Sequence, residues 1–549
     1  MAEARKSRNP RLLSRFLEAQ RRDGPLLLWA LAVGAIAGFV GGSFRYTVSA
    51  LGRLRERFET GVLFGQAPEL WQAMLVSGLM AALAVWLVRR FAPETGGSGV
   101  HEVEGALDGL RPVRWWRVLP VKFGAGVLSM GSGLLMGREG PTIQMGAALA
   151  RMLSDRFRLN PEHAHVLLAA GGGAGLTAAF NAPLAGMLFV VEEMRPQFHY
   201  NVISVQAVLV ACAAADVMVR LMLGGAQALP MSLLPATPVD ILWVFPLFGA
   251  LVGGVGFLFN HVLIAVVDRT ARLTDFGRVA FGAMIGAVVG ALALKLPAAV
   301  GGGEALIEHA VAVGIPTAVL LALFLGRFLL TIASYGTGAP GGIFAPMLAL
   351  GTLLGLALGQ WLDSSWPDGG WGEPALFAIA AMGALFSATV RAPITGIVLA
   401  VELTGQYEQL LPIILTCVPA TLVAHALGGL PIYTVLLERL LQASAEPLSG
   451  RLTVYEKEDC PLCEKARPML EGLAGRLGLE CVAIDVESDP VLQARHGERL
   501  PVVEFEGVEV GAGRLVEADI ERALRDAARA LDAGEDQSSA APAEGTLDT

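Results

Sequence analysis

Charge and cysteine are both scarce in this sequence. Charged residues make up 17% of the 549 positions, whereas roughly a quarter of the residues in a soluble domain are charged. Hydrophobic residues make up 54%, and the mean hydropathy is +0.56. The five cysteines are too few for a disulfide framework. Composition therefore excludes a soluble protein over most of the chain and predicts a membrane protein.

Apolar segments of roughly 20 residues, long enough to cross a bilayer, recur along the chain. They lie near residues 25–48, 70–88, 165–191, 203–223, 239–266, 277–295, 316–333 and 409–428. Shorter apolar segments lie near 118–136, 141–153, 343–361 and 374–388. Glycine or proline interrupts many of them, and the 66 glycines are typical of closely packed and interrupted membrane helices.

The segment 1–24 is strongly basic. It carries Arg5, Lys6, Arg8, Arg11, Arg15, Arg21 and Arg22. Such flanks stay on the cytoplasmic side of a membrane, so the N-terminus is predicted to be cytoplasmic. The apolar run from Pro25 is too long for a signal peptide and lacks an A-x-A cleavage pattern. We interpret the segment as an arm on the cytoplasmic membrane surface, since no other feature supports nucleic-acid binding.

The membrane region contains an internal repeat. Gly131, Gly133, Gly137, Pro141 and Gly146 are matched 205 positions later by Gly336, Gly338, Gly342, Pro346 and Gly351. GGSG at 96–99 is matched by GGGE at 301–304, and the block 178–193 by 387–403. We therefore divide the region into halves at 25–225 and 226–440. Periodicity leaves open whether the halves are inverted or parallel, but in duplicated transporters the binding site lies where the repeats meet.

The stretch GREGP at 137–141 places two charges among glycines in an apolar region. Ionisable residues at membrane depth are costly and usually functional. In the repeat, Glu139 takes the place of Phe344, so two helix starts are predicted to face one another. Helix starts offer free N–H groups and a positive dipole end, which bind an anion without a buried cation. A carboxylate at such a place is itself the anion.

Several motifs resemble those of the CLC family of chloride channels and chloride/proton exchangers, over residues 25–440. They are GSG at 97–99, GREGP at 137–141, GGIFAP at 341–346 and Tyr433 within PIYTVLLERL. The resemblance implies an all-α polytopic membrane protein of two inverted repeats with interrupted helices. It also implies a homodimer with one pore in each subunit.

The resemblance implies a role for each motif residue. Chloride is expected to bind the hydroxyls of Ser98 and Tyr433 and the backbone N–H groups of Ile343 and Phe344, with Glu139 as the gate. Such donors replace hydration water without trapping the ion at a full positive charge. Each side chain also has an ordinary interpretation. Glu139 can pair with the adjacent Arg138, the serine can cap a helix, and the tyrosine can anchor the chain at the membrane interface.

The segment VVEEMRPQF at 190–198 bears on the choice between exchanger and channel. From the residues alone, Glu192 and Glu193 end a helix at the cytoplasmic surface, with one or both carboxylates solvated. Exchangers of the family have a glutamate at the second position that takes up cytoplasmic protons, and channels generally lack it. The resemblance implies that Glu193 is the internal proton acceptor. Glu192 either supports that route or, like its repeat partner Glu402, has an older structural role.

Ser98 also bears on the choice of ion. Nitrate-preferring members of the family carry proline there, and fluoride exporters differ at this motif and at the tyrosine, so chloride is the expected anion. After GSG the family usually has a small apolar residue and proline, whereas Val100 and His101 follow it here. We expect His101 to be a solvated loop histidine. The alternative is a pH-sensitive group near the cytoplasmic mouth.

The composition becomes soluble after a linker at 441–450. A short β-rich run, C-P-L-C, a helical pattern, a strand, a short helix at 490–495, a hairpin and a helix at 515–531 follow in order. This βαβαββα order resembles a glutaredoxin-like member of the thioredoxin fold over 451–531. The acidic end, 532–549, is predicted to be disordered.

Cys460 and Cys463 form the one cysteine motif. A cysteine at a helix start has its thiolate stabilised by the dipole, so Cys460 is the expected nucleophile and Cys463 the resolving thiol. Pro501 stands where the thioredoxin fold carries a cis-proline. Leu500 before it and the sequence Gly-Ala-Gly downstream depart from the family pattern and disfavour glutathione recognition. Half a zinc site and an inert module are the alternatives.

The sequence as a whole predicts a dimeric chloride/proton antiporter of the cell membrane with a fused cytoplasmic thioredoxin-fold domain. Chloride and protons are substrates, and no metal or other cofactor is expected. The dithiol implies a thiol redox partner and the reducing cytoplasmic side. The alternatives are a passive gated chloride channel of the same fold and, from another class, a membrane-tethered thiol-disulfide oxidoreductase.

Overall fold

A computed structural model describes residues 10–62, 65–194, 201–444 and 448–539. The chain divides into a large helical unit that ends at Val435 and a small α/β unit after it. Part of the predicted basic arm and the end of the predicted tail lie outside the described residues.

Helices α1–α8 form the first half of the large unit. They are α1 (Pro10–Glu59), α2 (Leu70–Phe91), α3 (Val100–Leu107), α4 (Trp115–Gly131), α5 (Glu139–Phe157), α6 (Pro161–Phe180), α7 (Pro183–Glu192) and α8 (Val202–Leu223). Helices α9–α17 follow. They are α9 (Val244–Ala271), α10 (Asp275–Ala293), α11 (Glu304–Ala312), α12 (Thr317–Gly336), α13 (Phe344–Ser365), α14 (Pro374–Val390), α15 (Pro393–Thr404), α16 (Leu410–Ala426) and α17 (Ile432–Ser444).

Packing repeats between the halves. In the first half α5 packs on α6 and α1 on α8, and in the second half α13 packs on α14 and α9 on α16. The halves meet where α7 packs on α15 and α2 on α10. The duplication read from the glycines is therefore a duplication of helix packing.

Eight helices in the described part of the chain are long and apolar enough to cross a membrane. They are Gly24–Glu59, Leu70–Phe91, Val202–Leu223, Val244–Ala271, Asp275–Ala293, Thr317–Gly336, Phe344–Ser365 and Tyr407–Ala426. In the apolar window of Phe344–Ser365, 78% of residues are buried, against 33–44% in the other seven. Helix α13 therefore lies in the protein core, and the others expose a face that suits lipid.

The predicted continuous segment 165–191 is wrong, because two helices occupy it. Helix α6 ends at Phe180, and Asn181 adopts a left-handed conformation with φ of 54°. Helix α7 then begins at Pro183, whose ring and missing N–H do not allow the preceding helix to continue. The apolar composition hides the break, since both helices are buried in protein.

The small unit has the predicted βαβαββα order. Its elements are β1 (Arg451–Glu456), α18 (Pro461–Leu477), β2 (Glu480–Asp485), α19 (Pro490–His496), β3 (Val502–Phe505), β4 (Val508–Ala512) and α20 (Glu517–Ser539). The sheet order is β2-β1-β3-β4, with β1 parallel to β2 and the other pairs antiparallel. One face of α18 packs Leu470, Leu473 and Leu477 on the sheet residues Leu452 and Phe505.

The final helix is longer than predicted. Helix α20 continues to Ser539, so the predicted boundary of a disordered tail at residue 532 is wrong for the eight residues up to 539. Alanine, leucine and glutamate, which favour helix, dominate the segment around that boundary. Residues 540–549 lie outside the described residues.

Candidate functional site

The two helix breaks meet in an extended pair of segments. Gly137 N–H donates to the Gly342 carbonyl at 2.8 Å, and Gly342 N–H donates to the Gly137 carbonyl at 2.7 Å. These residues are 205 positions apart and equivalent in the repeat. Helix α5 starts two residues after the first, at Glu139, and α13 two residues after the second, at Phe344. The predicted pairing of helix starts is present.

The Glu139 carboxylate lies on the opposite helix start. Its Oε1 accepts the Phe344 N–H at 2.8 Å. The side chain is fully buried, and Oε2 has no hydrogen-bond partner within the described chain. A negative group thus occupies the free N–H of the second helix while half of its hydrogen-bonding capacity is unused. One hydrogen bond, through Oε1, therefore holds the carboxylate at this helix start.

Two glycines make room for this carboxylate. A Cβ at Gly137 would stand 2.1 Å from Glu139 Oε2, and a Cβ at Gly342 would stand 2.2 Å from Oε1. No real Cβ tolerates such contacts, so any larger residue at either position displaces the carboxylate. The glycines of the repeat therefore define the space that the Glu139 carboxylate occupies.

Arg138 does not neutralise Glu139. Its Nε donates to the Ala179 carbonyl at 2.9 Å, and its guanidinium pairs with Glu304 at 2.9 Å. The interpretation of Glu139 as half of a local ion pair is therefore wrong. The arginine instead links the break to α11, whose first residue is Glu304.

Ser98 and Tyr433 are both fully buried. The two hydroxyls lie within interaction range of each other, and neither makes a hydrogen bond of normal geometry in the part of the chain that the structure describes. The tyrosine ring packs against Phe344 with ring centroids 5.9 Å apart. The serine caps no helix and the tyrosine is no interfacial anchor, so both ordinary interpretations are wrong. Buried hydroxyls rarely lack partners, and these two lie beside the facing helix starts, Tyr433 at Phe344 and Ser98 at Gly140, which fits a site for a polar guest.

Two further residues organise this region, and sequence reasoning missed both. The Ser98 N–H donates to the Tyr335 hydroxyl at 3.4 Å. The ammonium of Lys122, which is fully buried, donates to the carbonyls of Thr95, Gly97 and Ser98 at 3.0, 2.8 and 3.1 Å. Three hydrogen bonds from the buried Lys122 side chain thus hold the GSG loop in place.

The repeat contained the signal for Lys122. Exactly 205 positions later stands Arg327, which is also buried. Its guanidinium donates to the carbonyls of Ala299 and Gly301 at 2.8 and 2.9 Å. A buried basic residue at the same repeat position of both halves is unexpected unless it has a function. Lys122 and Arg327 each hold the glycine loop of their own half.

Glu192 and Glu193 differ in their environment. Glu192 accepts the N–H groups of Ile394 and Thr395 at 3.0 and 2.7 Å, and the Thr395 hydroxyl at 2.9 Å. The interpretation of Glu192 as a solvated helix end is therefore wrong, and its structural role is the one present. Glu193 ends α7 and is half-buried. Tyr433 lies within electrostatic range of both Glu139 and Glu193.

His101 does not lie in a solvated loop. It stands in the first turn of α3 and is half-buried, and its Nδ1 has no hydrogen-bond partner among the described residues. Lys122 and Arg111 lie within electrostatic range of the ring. The expectation failed because helix α3 begins at Val100, directly after the GSG motif, and buries most of its residues.

The small unit has the dithiol geometry predicted for it. Cys460 is the N-cap of α18 and forms a disulfide with Cys463, and the Cys463 N–H donates to the Cys460 sulfur at 3.2 Å. Both cysteines are buried against Val486 and Leu500. The peptide bond before Pro501 is cis, as expected.

A cleft opens beside Cys463. Its lining includes the carboxylates Glu456, Glu458, Asp459, Glu464 and Asp485 together with the cations Lys457 and Arg467. Arg467 pairs with Glu456, so the remaining lining is mainly negative. Glutathione carries carboxylates at both ends, and this charge disfavours it. No cluster of three metal-ligating side chains occurs in the described ranges.

Facing helix starts, a carboxylate on a free N–H and unpartnered buried hydroxyls define an anion-transport protein built from a duplicated helical unit. A family model described as "Voltage gated chloride channel" matches residues 80–425, and one described as "Glutaredoxin-like domain" matches residues 451–525. The chain belongs to the voltage-gated chloride channel family, with a glutaredoxin-like domain fused after it.

Relatives match most of the membrane region. The "H(+)/Cl(-) exchange transporter ClcA" of Vibrio parahaemolyticus is 46% identical over 434 residues, which cover 78% of this chain and 93% of the relative. The protein of that name from Klebsiella pneumoniae (strain 342) is 46% identical over 440 residues, covering 78% and 91%.

Solved structures show the same fold. That of a "slow cyanobacterial Cl-/H+ antiporter" superposes with a TM-score of 0.73 at 41% identity, covering 76% of this chain and 98% of that one. A "CLC-type fluoride/proton antiporter" has a TM-score of 0.60 at 20% identity over 73% and 96% of the two chains, and supports the fold alone. The predicted CLC fold is confirmed.

Proposed function

We propose that the protein exchanges chloride for protons across the membrane, with Glu139 as the gate. One observation carries the proposal: the Glu139 carboxylate occupies the Phe344 N–H at 2.8 Å in a fully buried site. A group that holds an anion position by accepting an N–H leaves it when protonated, because a neutral carboxyl is the weaker acceptor. Proton uptake and anion entry are then alternatives at one place.

The remaining site residues accept the anion when the carboxylate leaves. The hydroxyls of Ser98 and Tyr433 and the N–H groups of Ile343 and Phe344 supply donors without a full positive charge at the ion. Their support is the burial of both hydroxyls, each without a partner in the described structure. Lys122 donates its hydrogen bonds to three loop carbonyls. The lysine therefore fixes the loop and does not hold the ion, which stays free to move.

Glu193 is the internal proton acceptor in this mechanism. It ends α7 and is half-buried, so it can exchange protons with water and with the interior. Phe189 of the same helix packs against Phe344 with ring centroids 5.6 Å apart. The proton route and the anion route therefore share one helix. Relatives with 46% identity that are named as exchangers favour this function over the passive channel.

Proton movement in proteoliposomes under an imposed chloride gradient tests the proposal. Wild type is expected to drive protons uphill, whereas Glu139→Ala and Glu193→Gln are expected to move chloride without protons. Chloride flux without proton movement in the wild type would instead identify a channel, and Glu193 would then be an ordinary helix end.

The protein works, in this proposal, as a homodimer in the cell membrane with both termini in the cytoplasm. The basic segment 1–24 supports the cytoplasmic N-terminus, and the CxxC motif requires the reducing compartment for turnover. Crosslinking in liposomes and protease accessibility of the two termini from each side of the membrane test these points.

The domain at 451–531 has a second, redox function in this proposal. Cys460 at the start of α18 attacks a partner disulfide as thiolate, and Cys463 then displaces the reduced partner thiol and forms the intramolecular disulfide. Two electrons pass from the dithiol to the partner, and a cellular thiol reductant restores the dithiol. The disulfide within the cleft supports this chemistry.

Two assays separate regulation of transport from independent redox activity. Transport is compared between reduced and oxidised wild type and Cys460→Ser, and disulfide reduction is measured on the full-length protein. A change of transport with thiol state assigns a regulatory role. Disulfide reduction with unchanged transport assigns an oxidoreductase tethered to the membrane.

A further inference from the structure

Helices α7 and α15 cap each other. Each follows an Ala-Pro pair, so neither has a side chain of its own at the N-cap that could accept the first free N–H groups. The acceptors come from the other half. Glu402, near the end of α15, accepts the N–H groups of Leu184 and Ala185 at 3.1 and 2.8 Å.

The second cap is equivalent to the first. Glu192, at the end of α7, accepts the N–H groups of Ile394 and Thr395 at the start of α15 at 3.0 and 2.7 Å. The two helices pack directly on one another. Each carboxylate uses both oxygens on the partner's first turn, and hydrogen bonds to a charged acceptor are roughly twice as strong as neutral ones.

The two capped helices differ in what they carry. Helix α7 has 10 residues, and Glu193 follows its last residue. Leu403 stands at the equivalent place of α15, 210 positions later. Movement of the start of so short a rigid helix is transmitted to its end, because α7 has few turns in which to absorb it. Both ends of α7 are therefore held against α15: Glu402 fixes the start of the helix, and Glu192 fixes its end next to the proton acceptor.

We propose that Glu402 is a positioning residue for Glu193: it fixes the start of α7 and thereby the place of the proton acceptor at its end. This inference rests on the proposed exchange function. Glu402 contacts neither ion, and it acts only through the helix. Since Phe189 lies in the middle of α7 and packs against Phe344, the same cap also steadies one side of the anion site.

The test compares Glu402→Gln with Thr395→Val in proteoliposomes. Glu402→Gln replaces one acceptor oxygen by an amide NH2 that faces N–H donors. The ratio of protons to chloride is expected to fall by at least about threefold in Glu402→Gln, with chloride flux largely retained. Thr395→Val is the matched variant: it removes the hydroxyl bond from Thr395 to Glu192 in the other cap, leaves the charge beside Glu193 in place, and is expected to keep a ratio within about twofold of wild type.

Three results would overturn the inference. They are a wild-type ratio in Glu402→Gln, an equal or larger loss in Thr395→Val, and a loss in Glu402→Gln that comes with equal loss of chloride flux. If Glu402→Gln does not fold, Glu402→Asp keeps the charge, shortens its reach and is expected to give a smaller loss of the ratio. Absence of proton pumping in the wild type would refute the proposed function instead.

A second readout is independent of exchange. A cysteine introduced as Glu193→Cys is alkylated in the full-length protein, and modification of residue 193 is followed by mass spectrometry. Adding Glu402→Gln is expected to change the alkylation rate at least about threefold, and adding Thr395→Val, which leaves the charge of Glu192 in place, is expected to change it little. Equal rates in the presence and absence of Glu402→Gln would contradict the positioning role whether or not the protein transports protons.

Discussion

The two halves of the membrane region share a scaffold and differ at the few positions where transport chemistry takes place. Both halves have a glycine break before a buried helix, a basic residue that holds a glycine loop, and a glutamate that caps the other half. Glu139, Ser98 and Glu193 of the first half stand where the second has Phe344, Gly303 and Leu403. In the proposed mechanism the second half contributes N–H groups to the site, and the first contributes the carboxylates that take up protons.

The repeat thus supplies two helix starts, and only the first of them, at Glu139, carries a titratable side chain. An anion site with two identical carboxylates would carry two like charges close together and would resist ionisation of both. One carboxylate facing an apolar residue avoids this conflict. In the proposed exchange mechanism, this difference between the halves couples a proton to an anion.

Enlarging a glycine at the gate is expected to have the largest effect. In Gly342→Ala the new Cβ would lie 2.2 Å from Glu139 Oε1, so the carboxylate must leave the Phe344 N–H. Proton coupling in proteoliposomes is expected to fall by at least about tenfold. Gly326→Ala, where no atom lies within 4 Å of the added Cβ, is the control and is expected to match wild type. Retained coupling in Gly342→Ala would show that the gate does not need this position.

The two buried cations offer the second test. Lys122→Met removes the donor to three loop carbonyls and Arg327→Met the donor to two. Each change leaves buried acceptors unpaired and is expected to cost on the order of 3 kcal/mol of stability. Thermal unfolding in detergent measures the cost, which is expected to be greater for Lys122→Met. Equal melting temperatures for both variants and wild type would show that the loops do not depend on these side chains.

Removing one hydroxyl from the site is expected to have a moderate effect. Ser98→Ala deletes a buried donor, and the loss of one hydrogen bond to an anion is expected to weaken chloride binding about fivefold to tenfold. Calorimetric titration of chloride measures it. Ser129 is also buried without a hydroxyl partner in the described structure, and Ser129→Ala is the control. Equal weakening in both variants would point to general loosening of the helices.

The smallest effect is expected at Tyr335, whose hydroxyl accepts the Ser98 N–H at a long 3.4 Å. Tyr335→Phe keeps the ring and removes this acceptor. Chloride affinity is expected to weaken by no more than about twofold, again by calorimetric titration. A loss as large as that of Ser98→Ala would mean that the tyrosine hydroxyl contacts the ion directly.

Local patterns predicted a large part of this structure. Glycine breaks at 137–141 and 341–346 located the two helix starts. The repeat placed Glu139 opposite Phe344, and in the structure the Glu139 Oε1 accepts the Phe344 N–H at 2.8 Å. The CxxC motif predicted Cys460 at the start of α18. In each case a few adjacent residues determine the backbone conformation, and contacts with distant residues contribute little to it.

The errors have the opposite cause. Glu402 accepts the N–H of Leu184, from which it is separated by 218 positions in the sequence. Nothing in the sequence near either residue indicates this contact. Helices α6 and α7 could not be separated by composition, because burial in protein keeps both apolar. His101 was expected in a solvated loop after the GSG motif, whereas it lies in the first turn of the largely buried helix α3.

The crossed caps of α7 and α15 also constrain how such a protein began. A single half, alone in a membrane, would have the first turn of its short helix unsatisfied and a carboxylate without donors, and lipid supplies no hydrogen bonds for either. Two identical halves satisfy both needs at once, each glutamate bonding the neighbour's helix. Such a half therefore requires a second copy to satisfy its short helix. Within one chain the two halves stay paired while their sequences differ, as at Glu193 and Leu403.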